Sequence, residues 1–325
     1  MRAVQAATFG GPEVLELVDI VEPVALEDQI LVEVTSAGVN YADTHQTENS
    51  YLAPQKLPLV PGAEVVGIAR GGRYDGRRVV SLLAGGGGYA ELAVAHAGLT
   101  FPVPDGVTDG QALSLVLQGT TAWHLLRGST RMQPGDSVVV HAAAGGVGTM
   151  AVQLARQWGA GRVIATASSE QKRQLALDLG AHVAVDVAAT TTADEVRQVL
   201  LAANEGRGVD VVLEMTGGHV FDGSLAAMAT GGRLATFGTA SRVAPSPIDP
   251  QALMARSVTV AGFWLVHVVR NPGLGPAMEE LFSLVRSGRL RPVIGASYPL
   301  SQAPQAHADL LSRRTTGKLV LTVAG

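Results

Sequence analysis

Ser137-Val138-Val139-Val140-His141-Ala142-Ala143-Ala144-Gly145-Gly146-Val147-Gly148 passes from an apolar, β-branched run through a small-residue turn into residues of helical spacing. It reads as strand, tight turn and helix start. In the G-x-G-x-x-G fingerprint the first glycine permits the turn, the second lets the backbone approach a pyrophosphate, and the third lets helix and strand pack closely. Ala143 takes the first of these places here, and Gly145 and Gly148 take the others. The amides around Gly145, Gly146, Val147 and Gly148 lack a side chain of capping type, which leaves them available to an anion. A dinucleotide is the ligand this pattern predicts. An acidic residue about 20 positions on would bind the ribose 2'-hydroxyl and repel a 2'-phosphate. That place is Ala167-Ser168-Ser169, with Lys172 and Arg173 following, so NADPH is favoured over NADH. Taken alone, the two cations also suit a solvated helix face.

Working outward from this segment, strands alternate with helix-length amphipathic stretches, the rhythm of βαβ units winding a parallel sheet. Strands are expected at Ser137–Ala142, Arg162–Thr166, Val183–Asp186, Val209–Glu214, Arg233–Thr236 and Val258–Phe263, with helices at Val147–Trp158 and Glu170–Leu179. Six strands make the sheet. Before about Leu115 the pattern is different: short β-branched runs at Ile30–Val34, Glu64–Ile68, Arg78–Leu82 and Tyr89–Val94 are broken by Gly and Pro. After Val266 come a helix at Gly275–Ser287 and strands near Pro292–Ser297 and Lys318–Val323, which return to the first, β-rich domain. The organisation expected is therefore 1–118, 119–265 and 266–325, an α/β chain with a β-rich domain interrupted by a Rossmann domain. Gly85-Gly86-Gly87-Gly88 reads as a turn, since no helix start follows it.

Composition narrows the chemistry. The 325 residues are 47% hydrophobic and 16% charged with 39 glycines, a globular balance. A net charge of -4 and the lack of a basic stripe argue against nucleic acid. There is no cysteine, which rules out thiolate nucleophiles, disulfides and sulfur-ligated zinc. No signal peptide or span of about 18 apolar residues is seen, so a cytoplasmic protein without membrane contact is expected.

Several further stretches resemble the zinc-free quinone oxidoreductase branch, which includes zeta-crystallin, of the medium-chain dehydrogenase/reductase superfamily. They are Gly10-Gly11-Pro12-Glu13-Val14-Leu15, Ala37-Gly38-Val39-Asn40-Tyr41-Ala42-Asp43, Pro61-Gly62-Ala63-Glu64, Gln118-Gly119-Thr120-Thr121-Ala122, Gly262-Phe263-Trp264-Leu265 and Thr316-Gly317-Lys318-Leu319-Val320-Leu321. The resemblance implies a GroES-like catalytic domain beside the Rossmann domain, and a homodimer formed by strands equivalent to the one around Val260–Val266. Zinc enzymes of the superfamily carry Cys where this chain has Asn40 and His where it has Ala63, so no metal is expected.

By the same resemblance Asn40 donates to the developing oxyanion, Asp43 orders its loop, and Tyr51 lines the cleft and donates a proton or hydrogen bond. Asp43 reads equally as a structural cap, and Tyr41 and Tyr51 as packing. Gln118 and Thr121 fall at the nicotinamide end, while Thr216, Phe237, Gly238 and Phe263 fall on loops at strand carboxyl ends, where open α/β sheets bind ligands. Lys318 belongs to a cofactor-approaching Gly-Lys pair or is a solvent-facing strand charge. His141 reads as a core histidine. Relatives carry a Tyr where Val187 stands, and the chain between Gly67 and Val79 is short. Without metal, conjugated acceptors such as quinones and enones suit the site, because they spread the arriving charge. An enoyl-thioester reductase and a non-catalytic NADPH-binding protein are the competing expectations.

Overall fold

The computed structural model describes residues 1–83, 85–270 and 273–323. These form two compact units, Met1–Thr120 with Val268–Gly325, and Thr121–His267.

The first unit opens with β1 (Arg2–Ala6) paired antiparallel to β2 (Leu15–Asp19). β3 (Gln29–Val39) is longer than its β-branched stretch suggests, because the strand continues through Ser36, Ala37 and Gly38. A register shift near Val34–Ser36 lets it change partner. It is followed by α1 (Tyr41–Thr47), β4 (Glu64–Arg70), β5 (Arg78–Leu82), β6 (Leu92–His96), β7 (Thr100–Pro102), α2 (Asp109–Leu113) and a π-helical stretch Ser114–Gly119, after which α3 (Thr120–His124) carries the chain into the second unit. β6 starts later than the sequence suggests: Tyr89 precedes it, and Ala90 forms only an isolated bridge to Ala3. The short Gly67–Val79 segment is a close hairpin between β4 and β5.

The second unit contributes β8 (Ser137–Val140), α4 (Gly146–Gln157), β9 (Arg162–Thr166), α5 (Glu170–Asp178), β10 (Val183–Val185), α6 (Ala193–Ala203), β11 (Val209–Glu214), α7 (Gly218–Ala227), β12 (Met228–Thr236), α8 (Pro250–Arg256) and β13 (Thr259–Gly262). The expected strand to Ala142 stops at Val140, because Ala142 takes a left-handed φ of 49° to begin the turn. The six strands pair in parallel in the order β10-β9-β8-β11-β12-β13. Counted within the unit this is 3-2-1-4-5-6, the doubly wound order whose reversal lies between β8 and β11. Val139, Ile164, Val212 and Leu234, one from each of four strands, are buried in its core, as parallel sheets require of central strands.

The chain returns to the first unit with α9 (Leu265–Arg270), α10 (Gly275–Arg286), β14 (Ile294–Pro299), α11 (Ala303–Leu311) and β15 (Lys318–Thr322). A seven-stranded sheet runs β14-β15-β3-β4-β5-β7, with β6 also on β3. Its core joins Val32, Ala37, Val65, Tyr89, Leu319 and Leu321 to Ala303 and Ala306 of α11.

Candidate functional site

In the first unit, strand register assembles the polar residues. Val39 pairs with Leu319 and Ala37 with Val65. One step on in each ladder, Lys318 comes opposite Asn40 and Glu64 comes opposite Gly38. The ends of three neighbouring strands thus present an ammonium, a carboxylate and an amide to one another, and Gly38 has no side chain to separate them. Lys318 Nζ pairs with Glu64 Oε1, and both side chains are 0% exposed. The solvent-facing reading of Lys318 is therefore incorrect: β15 lies between two strands and is buried along most of its length.

All donors of that ammonium are engaged. Nζ also donates to Val39 O at 3.3 Å and to Asn40 Oδ1 at 3.1 Å. Asn40 Oδ1 accepts a second bond from Gln118 Nε2 at 3.2 Å, and Asn40 Nδ2 donates to Glu64 Oε1 at 2.9 Å. This pattern settles the orientation of the Asn40 amide, since its oxygen faces two donors and its nitrogen faces a carboxylate. Gln118 lies on the π-helical stretch, a departure from α-helix that often marks a functional site. Its Oε1 is buried without a hydrogen-bond partner, as is Glu64 Oε2.

Asp43 is fully buried at the third position of α1. Its Oδ2 accepts the Asn40 backbone N–H at 2.8 Å and the Tyr89 hydroxyl at 3.0 Å, while Oδ1 has no partner. The first of these bonds is the cap that Asp43 makes, whatever else it does. Burial pushes its carboxyl up to about 7, against the pull of the Asn40 N–H, Lys318 and Tyr89. Burial and the Asp43 charge lift the Tyr89 phenol well above its ordinary range. Tyr89 OH also meets His307 Nε2 at 3.1 Å, and burial lowers that imidazole to about 4. Tyr89 and His307 were not singled out from sequence. A tyrosine in a β-run and a histidine in an amphipathic helix carry no spacing signal that links them. Tyr51 is half-buried, with its ring 6.3 Å from that of His45, which in turn meets Tyr41.

In the second unit the remaining candidates other than Thr121 follow the carboxyl ends of strands of the parallel sheet. Gly145 caps α4 without a side-chain hydrogen bond, and α4 runs for twelve residues behind it. A Cβ on Gly148 would fall on Ala142 O and within 2.6 Å of Ala143 Cα, so the close approach of turn and helix requires glycine there. Ser168, exposed, and Lys172 follow β9, with Ser169 capping α5. Arg173 is engaged elsewhere, by Asp186 at 3.0 Å and by Ala167 O. Thr216 follows β11, Phe237 and Gly238 follow β12, and Phe263 follows β13. Backbone bonds from Phe237 to Glu214 and from Phe263 to Thr236 hold two of these loops together. Thr121 is buried.

Two buried residues sit at the reversal point itself. His141, just past β8, contacts Thr166 Oγ1 at Nδ1 (3.0 Å) and Ser224 Oγ at Nε2 (2.8 Å). Ser224 donates to Val220 O, so it accepts from His141, which is a neutral core imidazole lowered to about 4 by burial. Glu214, at the end of β11, accepts from the backbone of Thr216 and Gly217, and burial raises it to about 7.

The Alcohol dehydrogenase GroES-like domain family matches residues 26–105, and the Zinc-binding dehydrogenase family matches 146–287. The quinone oxidoreductase of Mus musculus is 33% identical over 99% of this chain and 97% of its own. A mycobacterial protein solved in complex with NADPH is 38% identical, with a TM-score of 0.91, over 99% of this chain and 100% of its own. The Escherichia coli quinone oxidoreductase solved with NADPH is 30% identical with a TM-score of 0.90, over 99% and 100%.

The zinc that the second family's description implies does not fit the residues present. Asn40 Oδ1 and Glu64 Oε1 already face the Lys318 ammonium, whose positive charge beside them opposes a second cation, and the chain has no cysteine. No group of three or more His, Asp or Glu able to hold a metal occurs among the described residues. A dinucleotide does fit the second unit, whose uncapped α4 start is cleared of side chains by Gly145, Gly146 and Gly148.

Proposed function

The chain belongs to the zinc-independent quinone oxidoreductase branch of the medium-chain dehydrogenase/reductase superfamily, and from that premise we propose that it reduces quinones and α,β-unsaturated carbonyls with NADPH. The observation that carries this reading is the uncapped, glycine-cleared start of α4, in a chain alike over 99% of its length to the Escherichia coli quinone oxidoreductase solved with NADPH. NADPH, when bound, supplies the hydride. The α4 amides of Gly145–Gly148 hold the pyrophosphate, and Ser168 and Lys172 hold the 2'-phosphate. Thr216, Phe237, Gly238 and Phe263 shape the strand-end edge. Gln118 and Thr121 serve the nicotinamide end, where the orphaned Gln118 Oε1 is an acceptor for an amide N–H.

Asn40 has one Nδ2 hydrogen on Glu64 and a second for the oxygen that gains charge, with Lys318 polarising the amide through Oδ1. Tyr51 adds a phenol on the substrate side. A conjugated acceptor suits a site with this neutral donor, since its π-system spreads two arriving electrons until a proton from water follows. β13 ends the six-stranded sheet, and its free edge supports a homodimer made by pairing with a second copy, which light scattering would measure. No described helix is long and apolar enough to cross a membrane.

Purified protein mixed with NADPH and a panel of quinones, enones and enoyl thioesters tests the reading. Oxidation of NADPH is expected with the first two. Turnover of enoyl thioesters alone would replace the proposed substrate class, and tight NADPH binding with no turnover would remove the enzyme. For the cofactor, Lys172→Ala is expected to raise the Kd for NADPH about tenfold and leave NADH nearly unchanged, as loss of a charge-assisted phosphate bond predicts. Equal effects on both would show that Lys172 does not hold the 2'-phosphate.

A further inference from the structure

Tyr89 has one hydroxyl hydrogen, and it is given to Asp43 Oδ2. Its contact with His307 Nε2 must then be donated by the imidazole, which fixes His307 as the Nε2–H tautomer. Nδ1 is left as the bare acceptor, and it is indeed the buried ring nitrogen without a hydrogen-bond partner. The line therefore has one direction: His307 donates to Tyr89, Tyr89 to Asp43, and Asp43 accepts in the same oxygen the backbone N–H of Asn40. The two rings meet edge-on at 5.7 Å, and both side chains are sealed from solvent. Phe and Leu would fill that space without burying polar atoms, so the polar line has to answer for its own desolvation.

We propose that Tyr89 and His307 are positioning residues for the reduction, holding Asp43 as the acceptor that fixes Asn40 at the start of α1. This rests on the reading that Asn40 serves the reacting oxygen. The charged and titratable groups facing Asp43 are Tyr89, Lys318 and Glu64, with His307 behind Tyr89. Lys318 and Tyr89 pull its carboxyl down, while burial and Glu64 push it up, with the balance at about 7. Ionised Asp43 holds the Asn40 N–H more strongly than protonated Asp43. Turnover then rises with pH through about 7.

The test compares Tyr89→Phe, His307→Leu and His307→Gln, whose amide nitrogen replaces the Nε2–H donor. The Asp43 carboxyl is titrated by its infrared carbonyl band, assigned with Asp43→Asn, and kcat and KM are measured against pH. In Tyr89→Phe the carboxyl midpoint is expected to rise by about one pH unit, with the rising limb of kcat moving with it. At pH 7 kcat falls about fivefold, and about tenfold well below both midpoints, with KM for NADPH unchanged. His307→Leu moves both in the same direction by less, and His307→Gln restores them. A Tyr89→Phe enzyme with an unmoved midpoint and full kcat would overturn the proposal. So would equal losses in both His307 variants without a shift in midpoint, the mark of a packing role. Asn40→Ala separates the levels. Full kcat in that variant would sink the reading of Asn40 together with this proposal, whereas a large loss there beside a silent Tyr89→Phe sinks the positioning role alone.

Discussion

Lys318 and Glu64 illustrate what a single buried residue can cost. Each is sealed from water, and each compensates the other's charge, so removing one half leaves the other desolvated and unpaired. Lys318→Met is expected to destabilise the protein by about 3–5 kcal/mol, read from urea unfolding at pH 7, whereas Lys318→Met combined with Glu64→Gln recovers most of the loss. If the single and double variants were equally unstable, packing around the lysine stem rather than charge would be at stake. The pair was half legible in the sequence. Leu319, Val320 and Leu321 are apolar at every position, as are Val65 and Val66 behind Glu64, and a run without alternation belongs to a strand buried on both faces. A charge opening such a run is a buried charge, and two of opposite sign are candidates for each other. What the sequence does not contain is the register that sets Lys318 and Glu64 on either side of Gly38.

The turn from β8 into α4 was the most legible element, because a change of period from strand to helix coincides there with glycines of fixed spacing. Its weak point is Gly148, where an added Cβ meets the backbone of Ala142 and Ala143. Gly148→Ala is expected to push the α4 start away from Ala142 and Ala143 and to raise the Kd for NADPH at least about tenfold, measured by nucleotide fluorescence, since the amides no longer converge on one anion. Unchanged binding in a folded Gly148→Ala protein would place the pyrophosphate elsewhere. The π-helical stretch Ser114–Gly119 was not legible at all. An i→i+5 register has no compositional mark, so Gln118 was found through resemblance, while its bond to Asn40 needed the structure. Likewise the pairing of Arg173 with Asp186, thirteen residues on, has no mark in the sequence.

At the scale of the molecule, each unit buries, among the described residues, one carboxyl raised to about 7 and one imidazole lowered to about 4. Asp43 and His307 are in one, Glu214 and His141 in the other. Stability follows the difference in protons bound by the unfolded and folded chains. Between about 4 and the unfolded imidazole value of 6.5, the unfolded chain holds a proton that the native histidine lacks, so each histidine makes stability rise with pH. From the unfolded carboxyl values of 3.8 and 4.5 up to about 7, the native carboxyl holds the extra proton, so each makes stability fall with pH. Over the shared window the opposing slopes, each up to about 1.4 kcal/mol per pH unit, cancel within a unit. Removing one member exposes the other. His307→Gln loses the rising contribution and is expected to gain on the wild type by about 1.4 kcal/mol for each unit the pH is lowered from about 6 to about 4.5. Asn at Asp43 loses the falling contribution, so Asp43→Asn gains on the wild type as pH is raised over the same range, and the double variant runs parallel to the wild type. Urea unfolding at several pH values across that window reads all four proteins. A constant offset between His307→Gln and wild type at every pH would mean that His307 takes up a proton as readily in the folded chain as in the unfolded one. Its burial behind Tyr89 would then be less complete than its place on α11, whose Ala303 and Ala306 join the sheet core, implies.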